Sequence, residues 1–178
     1  MKKAFYVLLL IYSYGFAYSE QQLVADYKNS DFEKVCIDGT ILNSKNEDIL
    51  SLVGNACLKI DNINPLGIII KRLVSTPRYR ANASYFATIL LQKKLIYQFM
   101  NDGINISNMR LPRTANILSV VFENLAKKNY KVLEKSSKKI EIVLKNRRYI
   151  LWKTRDKQVK VIIDEYRDGK FFKRHWYL

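Results

Sequence analysis

The stretch from Arg80 to Met100, RANASYFATILLQKKLIYQFM, narrows the folds open to this chain more than any other. It contains no Gly or Pro and is dense in good helix formers. Tyr85, Phe86, Ala87, Ile89, Leu90 and Leu91 are apolar nearly all the way round a helix. That pattern predicts a buried central helix rather than a surface one. A membrane span would need ~20 mostly apolar residues, and Gln92, Lys93 and Lys94 interrupt the run well short of that. The remaining elements must pack around this helix.

The N-terminus reads as an export signal. Lys2 and Lys3 give the positive start and Ala4 to Phe16 the apolar core. Ala17 and Ser19 are small residues where a signal peptidase reads, which predicts cleavage before Glu20. Residues 1–19 are then a signal peptide, and the mature protein is bacterial and periplasmic. No Cys follows the apolar core until Cys36, so lipoprotein processing is not expected. Two Cys in an oxidising compartment predict one disulfide, Cys36 to Cys57.

Residues 20–128 read as a helical body of about five helices. Ser30-Asp31-Phe32-Glu33 fits a capping box, and Phe32, Val35 and Cys36 share one face of the helix it opens. Ser44 to Glu47 repeats the pattern, with Asn46 an alternative cap. In the helix that follows, Ile49, Leu52, Val53, Ala56, Cys57 and Ile60 recur at helical spacing. A tight turn near Lys45 would make these two helices an antiparallel hairpin, with Cys36 level with Asn55 to Cys57. Asn64-Pro65 and Thr76-Pro77 each place a cap before a Pro at the first helical position. The first opens a short helix, Leu66 to Val74, and the second leads into the central one. Gly103 suits a left-handed C-terminal cap, Ile104 to Arg113 reads as a loop, and Thr114 to Lys128 as a final amphipathic helix. In that helix Ile117, Leu118, Val121, Phe122 and Leu125 point inward.

From Asp26 to Phe99, the paired capped helices SDFEKVC and NEDILSLVGNAC, with a disulfide between them, resemble exported tetratricopeptide-like or Sel1-like proteins of Gram-negative bacteria. Some of these are scaffolds for envelope machines such as the flagellar motor. The resemblance implies protein–protein interaction and assigns no residue of this chain a role.

Residues 129–178 change period from helical to alternating and read as a basic, four-stranded antiparallel meander, completing an α+β fold. The strands are Ile140 to Leu144, Tyr149 to Lys153, Val159 to Tyr166 and Phe171 to Tyr177. Asp168-Gly169 is a strong two-residue hairpin signal. It sets Asp164 opposite Lys173, Ile162 opposite His175 and Val161 opposite Trp176. A two-residue loop at Arg155-Asp156 sets Trp152 opposite Val159, and a three-residue loop at Asn146 to Arg148 sets Ile142 opposite Trp152. One face then gathers Ile140, Ile142, Leu144, Ile150, Trp152, Val159, Val161, Ile163, Phe172, Trp176 and Leu178 toward the helices. The other carries Tyr149, Leu151, Lys153, Lys160, Ile162, Tyr166, Phe171, Lys173, His175 and Tyr177, with Arg147, Arg148, Arg155 and Lys157 at its edges. This Lys-and-aromatic face is the candidate binding surface.

Charge supports that choice. From Lys127 to the end there are 17 Lys and Arg against 6 Asp and Glu, whereas Glu20 to Ala126 holds 12 against 10. A catalytic centre has little support. His175 is the only His, which leaves no His-based metal cluster, and no Gly-rich phosphate loop, HExxH or CxxC occurs. No catalytic residue, metal ligand or cofactor is expected. Basic surfaces with exposed aromatics suit single-stranded nucleic acid, but export argues against that partner. The expected function is a non-enzymatic envelope interaction module that holds an acidic protein. An anionic lipid or glycan on the same face is the alternative, and a small hydrolase a third reading. No membrane span is expected after signal cleavage.

Overall fold

The computed structural model describes residues 18–178; the expected signal peptide, apart from its last two residues, lies outside them. Six helices precede five strands: α1 (Glu20–Lys28), α2 (Phe32–Leu42), α3 (Glu47–Lys59), α4 (Leu66–Ile70), α5 (Pro77–Asn101), α6 (Ile117–Ala126), β1 (Lys131–Glu134), β2 (Lys139–Leu144), β3 (Arg147–Lys153), β4 (Val161–Arg167) and β5 (Lys170–Tyr177). The fold is α+β, and the antiparallel sheet has five strands in the order β1-β2-β3-β4-β5.

The helix starts follow side-chain chemistry. Ser19 accepts from the Gln22 amide to cap α1, an element the sequence reading did not place. At α2 the cap is Asp31, which accepts from the Lys34 amide, while Ser30 sits at a left-handed φ of 63°. Asn46 caps α3, and Thr76 caps α5 with Pro77 in its first turn. Asn64 does not cap α4; its side-chain oxygen accepts from Lys93 Nζ at 2.6 Å. Gly103, at φ 74°, ends α5 in the left-handed conformation that a residue without Cβ adopts freely.

α5 is central in a different way from the one its composition implies. Only one stripe is buried, formed by Phe86, Ile89, Gln92, Lys93, Ile96 and Met100, while Leu91 is exposed. The helix touches α3, α4, α6 and β3. Its buried polar residues serve as ties: Gln92 donates to the Pro112 carbonyl at 3.1 Å and accepts from Ser119 Oγ at 2.8 Å. That pins the loop and α6 against it. No helix among the described residues is long and apolar enough to cross a membrane.

Helices α2 and α3 form the expected antiparallel hairpin, closed by a Cys36–Cys57 disulfide. Close approach rests on two glycines. A Cβ at Gly39 would lie 2.5 Å from a Val53 methyl, and one at Gly54 2.6 Å from the Phe86 ring.

The sheet departs from the expected register. Between β4 and β5 the pairing runs Ile163 with His175, Asp164 with Arg174 and Glu165 with Lys173, then shifts so that Tyr166 meets Phe171. Phe172 is the extra residue of a β-bulge. With one residue inserted, every partner beyond it moves by one place and its side chain changes face. Asp164 therefore faces Arg174, not Lys173, while Ile162 faces Trp176 and Val161 faces Tyr177. Lys145-Asn146 is a two-residue turn, which pairs Ile142 with Tyr149. The β3–β4 connection is longer than two residues, so Trp152 pairs with Ile162 and Ile150 with Asp164.

The inner face thus carries Ile140, Ile142, Tyr149, Leu151, Val161, Ile163 and Tyr177, which join Ile96, Met100, Leu118 and Leu125 in one buried cluster. Sheet and helices share this core.

Candidate functional site

The register decides what the sheet shows to solvent. Tyr149, His175 and Tyr177, expected on the exposed face, are buried at 1%, 7% and 3% exposure. Lys153 and Lys173 share their inner face, Lys153 Nζ lying 3.5 Å from Asn101 Oδ1. Trp152, Trp176 and Ile150, expected inward, lie on the outer face instead. Of the candidate binding residues, Arg148, Lys160, Tyr166 and Phe171 are on that outer face. Arg155 and Lys157 are exposed in the β3–β4 loop, and Arg147 is exposed at the end of the inner face.

Three cation–aromatic pairs run across the outer face. Arg148 lies 4.3 Å from the Tyr166 ring centre, Lys160 5.1 Å from Trp176, and Arg174 5.4 Å from Trp152. Phe171 packs edge-on to Tyr166 and is 56% exposed, and Trp176 is 41% exposed. Asp164 is the acid at the centre of the pattern. It is buried beneath these groups and accepts from Trp152 Nε1 at 3.0 Å and from Arg174 Nε at 2.6 Å. Burial pushes its carboxyl up, but the Arg174 and Trp152 hydrogen bonds with the Arg174 charge outweigh that and hold it below its ordinary 3.8. Its role is to position Trp152 and Arg174. Sequence reasoning missed Arg174 and Trp176 because the bulge was not anticipated, and Trp152 because the β2–β3 turn has two residues rather than three. The available signal was two adjacent acids, Asp164-Glu165, in one strand and two adjacent aromatics, Phe171-Phe172, in the next. Neither pair fits a clean alternation.

A second polar group lies on the opposite side, where β5 meets the turn after α3. Asp61, at a left-handed φ of 63°, accepts from His175 Nδ1 at 3.0 Å and from the Tyr177 hydroxyl at 3.1 Å. Lys173 Nζ lies 3.2 Å from the same carboxylate and donates to the Lys59 carbonyl at the end of α3. Burial, and then the charge and hydrogen bond of Asp61, push the Tyr177 phenol well above its usual 10. On the far side of the imidazole, His175 Nε2 lies 3.5 Å from Glu165 Oε2, while Glu165 Oε1 accepts from Arg167 Nε at 2.9 Å. The hydroxyl in reach is donated to Asp61 rather than to the imidazole, so this is no nucleophile–base arrangement. No described group of three or more His, Cys, Asp and Glu residues is placed to hold a metal ion.

Neither a family model, nor a curated protein, nor a solved structure matches this chain.

Proposed function

We propose that this protein is a non-enzymatic interaction module of the bacterial cell envelope, acting in the periplasm, that holds an acidic protein partner against the outer face of its sheet. The observation that carries the reading is the row of cation–aromatic pairs on that face, with Phe171 and Trp176 left open to solvent. Aromatic and Arg side chains are the residues that dominate protein interfaces when buried by a partner. The cations supply attraction and orientation toward acidic surface. Of the three acids paired into this face, Glu141 and Asp164 are held by Arg148 and Arg174, and Glu134, at its β1 edge, accepts from the Ser136 and Ser137 hydroxyls. A helical body of the tetratricopeptide-like class would suit an accessory scaffold of an envelope machine.

The test is capture from envelope extracts after in-cell crosslinking, comparing wild type with Trp176→Ala and with Arg148→Gln/Lys160→Gln. The expected result is a discrete protein retained through moderate salt, with loss at Trp176→Ala of more than ~2 kcal/mol in binding. Recovery of lipid or glycan instead, lost in the charge variant and in salt but indifferent to Trp176→Ala, would replace the protein partner with an anionic polymer.

A further inference from the structure

The inner end of the sheet carries a feature that docking on the outer face does not use. A groove of about 340 Å³ lies between the end of α3, the start of α6 and the inner side of β3, β4 and β5. This is within the size range of metabolite pockets. Its charged lining is Lys59, Asp61, Arg147, Glu165, Arg167 and Lys173. The two acids are engaged: Asp61 by His175, Tyr177 and Lys173, and Glu165 by Arg167. The cations are not used up. Arg147 and Lys59 are exposed and form no ion pair among the described residues, and Arg167 bonds Glu165 through Nε, which leaves its terminal nitrogens free.

A further observation points the same way. The start of α6, where the Asn116 side chain caps the Leu118 amide, faces this groove through Asn116 and Ile117, and its first turn holds no acidic residue to offset the positive end of the helix dipole. His175, 7% exposed, lines the groove floor; its Nε2 makes no hydrogen bond and faces Glu165 Oε2 at 3.5 Å.

We infer that this groove binds a small anionic molecule through a carboxylate or phosphate group, held by Arg147, Arg167 and the start of α6, with Lys59 at the rim. The planar Arg forks match both groups in geometry. Asp61 and Glu165 remain with their present partners and repel an anion from the deeper end, so the anionic group sits toward Arg147.

Because His175 is the only His in the chain, its imidazole resonance is a unique reporter on the groove floor. Inorganic phosphate and, separately, acetate would be titrated into the purified protein at fixed pH and ionic strength, with chloride as the balancing anion. The expected result is a saturable shift of the His175 signal, with affinity at least ~10-fold weaker in Arg147→Gln, the loss of one charge-assisted bond, and unchanged in Lys157→Gln, a loop cation outside the groove. Saturation by phosphate alone would assign a phosphate-bearing ligand; saturation by acetate as well would extend the class to organic acids. A shift that never saturates, or that is equal in wild type and Arg147→Gln, would overturn the site. Arg147 makes no ion pair, so melting curves of its variant should match wild type. Lys59→Gln provides a second variant with the same expected direction.

Discussion

Replacing Asp61 tests whether the sheet is held to the helices as the contacts imply. Asp61→Ala removes the acceptor for two buried donors, His175 Nδ1 and the Tyr177 hydroxyl. Each buried donor left without a partner costs about 1–3 kcal/mol. Lys173 adds little, because its side chain is 41% exposed and surface ion pairs contribute ~0–1 kcal/mol. The left-handed backbone at this position adds roughly 1 kcal/mol against Ala. The total, about 3–7 kcal/mol, approaches the whole stability of many domains. Asp61→Asn gives the graded version: Asn tolerates the backbone and keeps one acceptor, so about 1–3 kcal/mol is expected. In a chain of this length that lowers the melting temperature by ~2–4 °C per kcal/mol. Urea melts give the free energies directly, and a cycle of Asp61→Asn with Tyr177→Phe should show coupling above ~0.5 kcal/mol. Alkaline melts add an independent readout. Since the folded Tyr177 phenol is raised above 10, its contribution is complete below that pH and is lost only as pH climbs toward the folded value. Wild type should show this alkaline loss and Tyr177→Phe a smaller one, since Tyr18, Tyr79 and Tyr85 are also raised above 10. An Asp61→Ala variant within ~0.5 kcal/mol of wild type would refute the reasoning, since that is the range of neutral surface changes.

Reducing the Cys36–Cys57 bond frees a loop with a sequence separation of 21, worth on the order of 3 kcal/mol, so the melting temperature should fall by ~6–12 °C. Two free thiols in non-reducing mass spectrometry of the native protein would remove that expectation. Burial, with Lys94 nearby, pulls the Lys93 ammonium from 10.5 to about 8, so between those values the folded state holds fewer protons than the unfolded and stability rises with pH. Lys93→Met should therefore be more stable than wild type at neutral pH, with a gap that narrows across that window; a gap constant with pH would contradict it. Gly54→Ala places a methyl 2.6 Å from the Phe86 ring and should cost ~1–3 kcal/mol by overpacking. Part of this should return in combination with Phe86→Leu, and equal loss with and without that change would show that the ring is not the obstacle.

The helical body was legible because its signals are local. Asn46 and Thr76 declare helix starts through their own hydrogen bonds, and the spacing of Ile49, Val53, Ala56 and Cys57 places one face inward. With those two facts the antiparallel hairpin and its Cys pairing followed. What local signals did not reveal was the partner each polar residue would choose. Asn64 looked like a cap but accepts from Lys93, and Gln92 looked like an interruption but ties α6 and its loop to α5. Those choices depend on residues 20 or more positions away in sequence.

The sheet shows the other limit. Four of the five strands and the hairpin at Asp168-Gly169 were readable, while β1, a short edge strand, was missed; face assignment depends on parity, and a single inserted residue reverses it. Phe172 is that residue. An unbulged β5 would turn His175 and Tyr177 toward solvent and leave Asp61 without its two buried donors; Arg174 and Trp176 would turn inward, an unpaired guanidinium among them. Burying such a charge is far more costly than exposing an aromatic ring. The native register instead sends Arg174 outward with Trp176, and keeps inward the His and Tyr that Asp61 satisfies, with Lys173 beside the same carboxylate. The Arg174–Trp176 part of the face open to a partner and the polar seam that holds the sheet in place are thus two consequences of one bulge. Any change that removes the bulge should abolish both together.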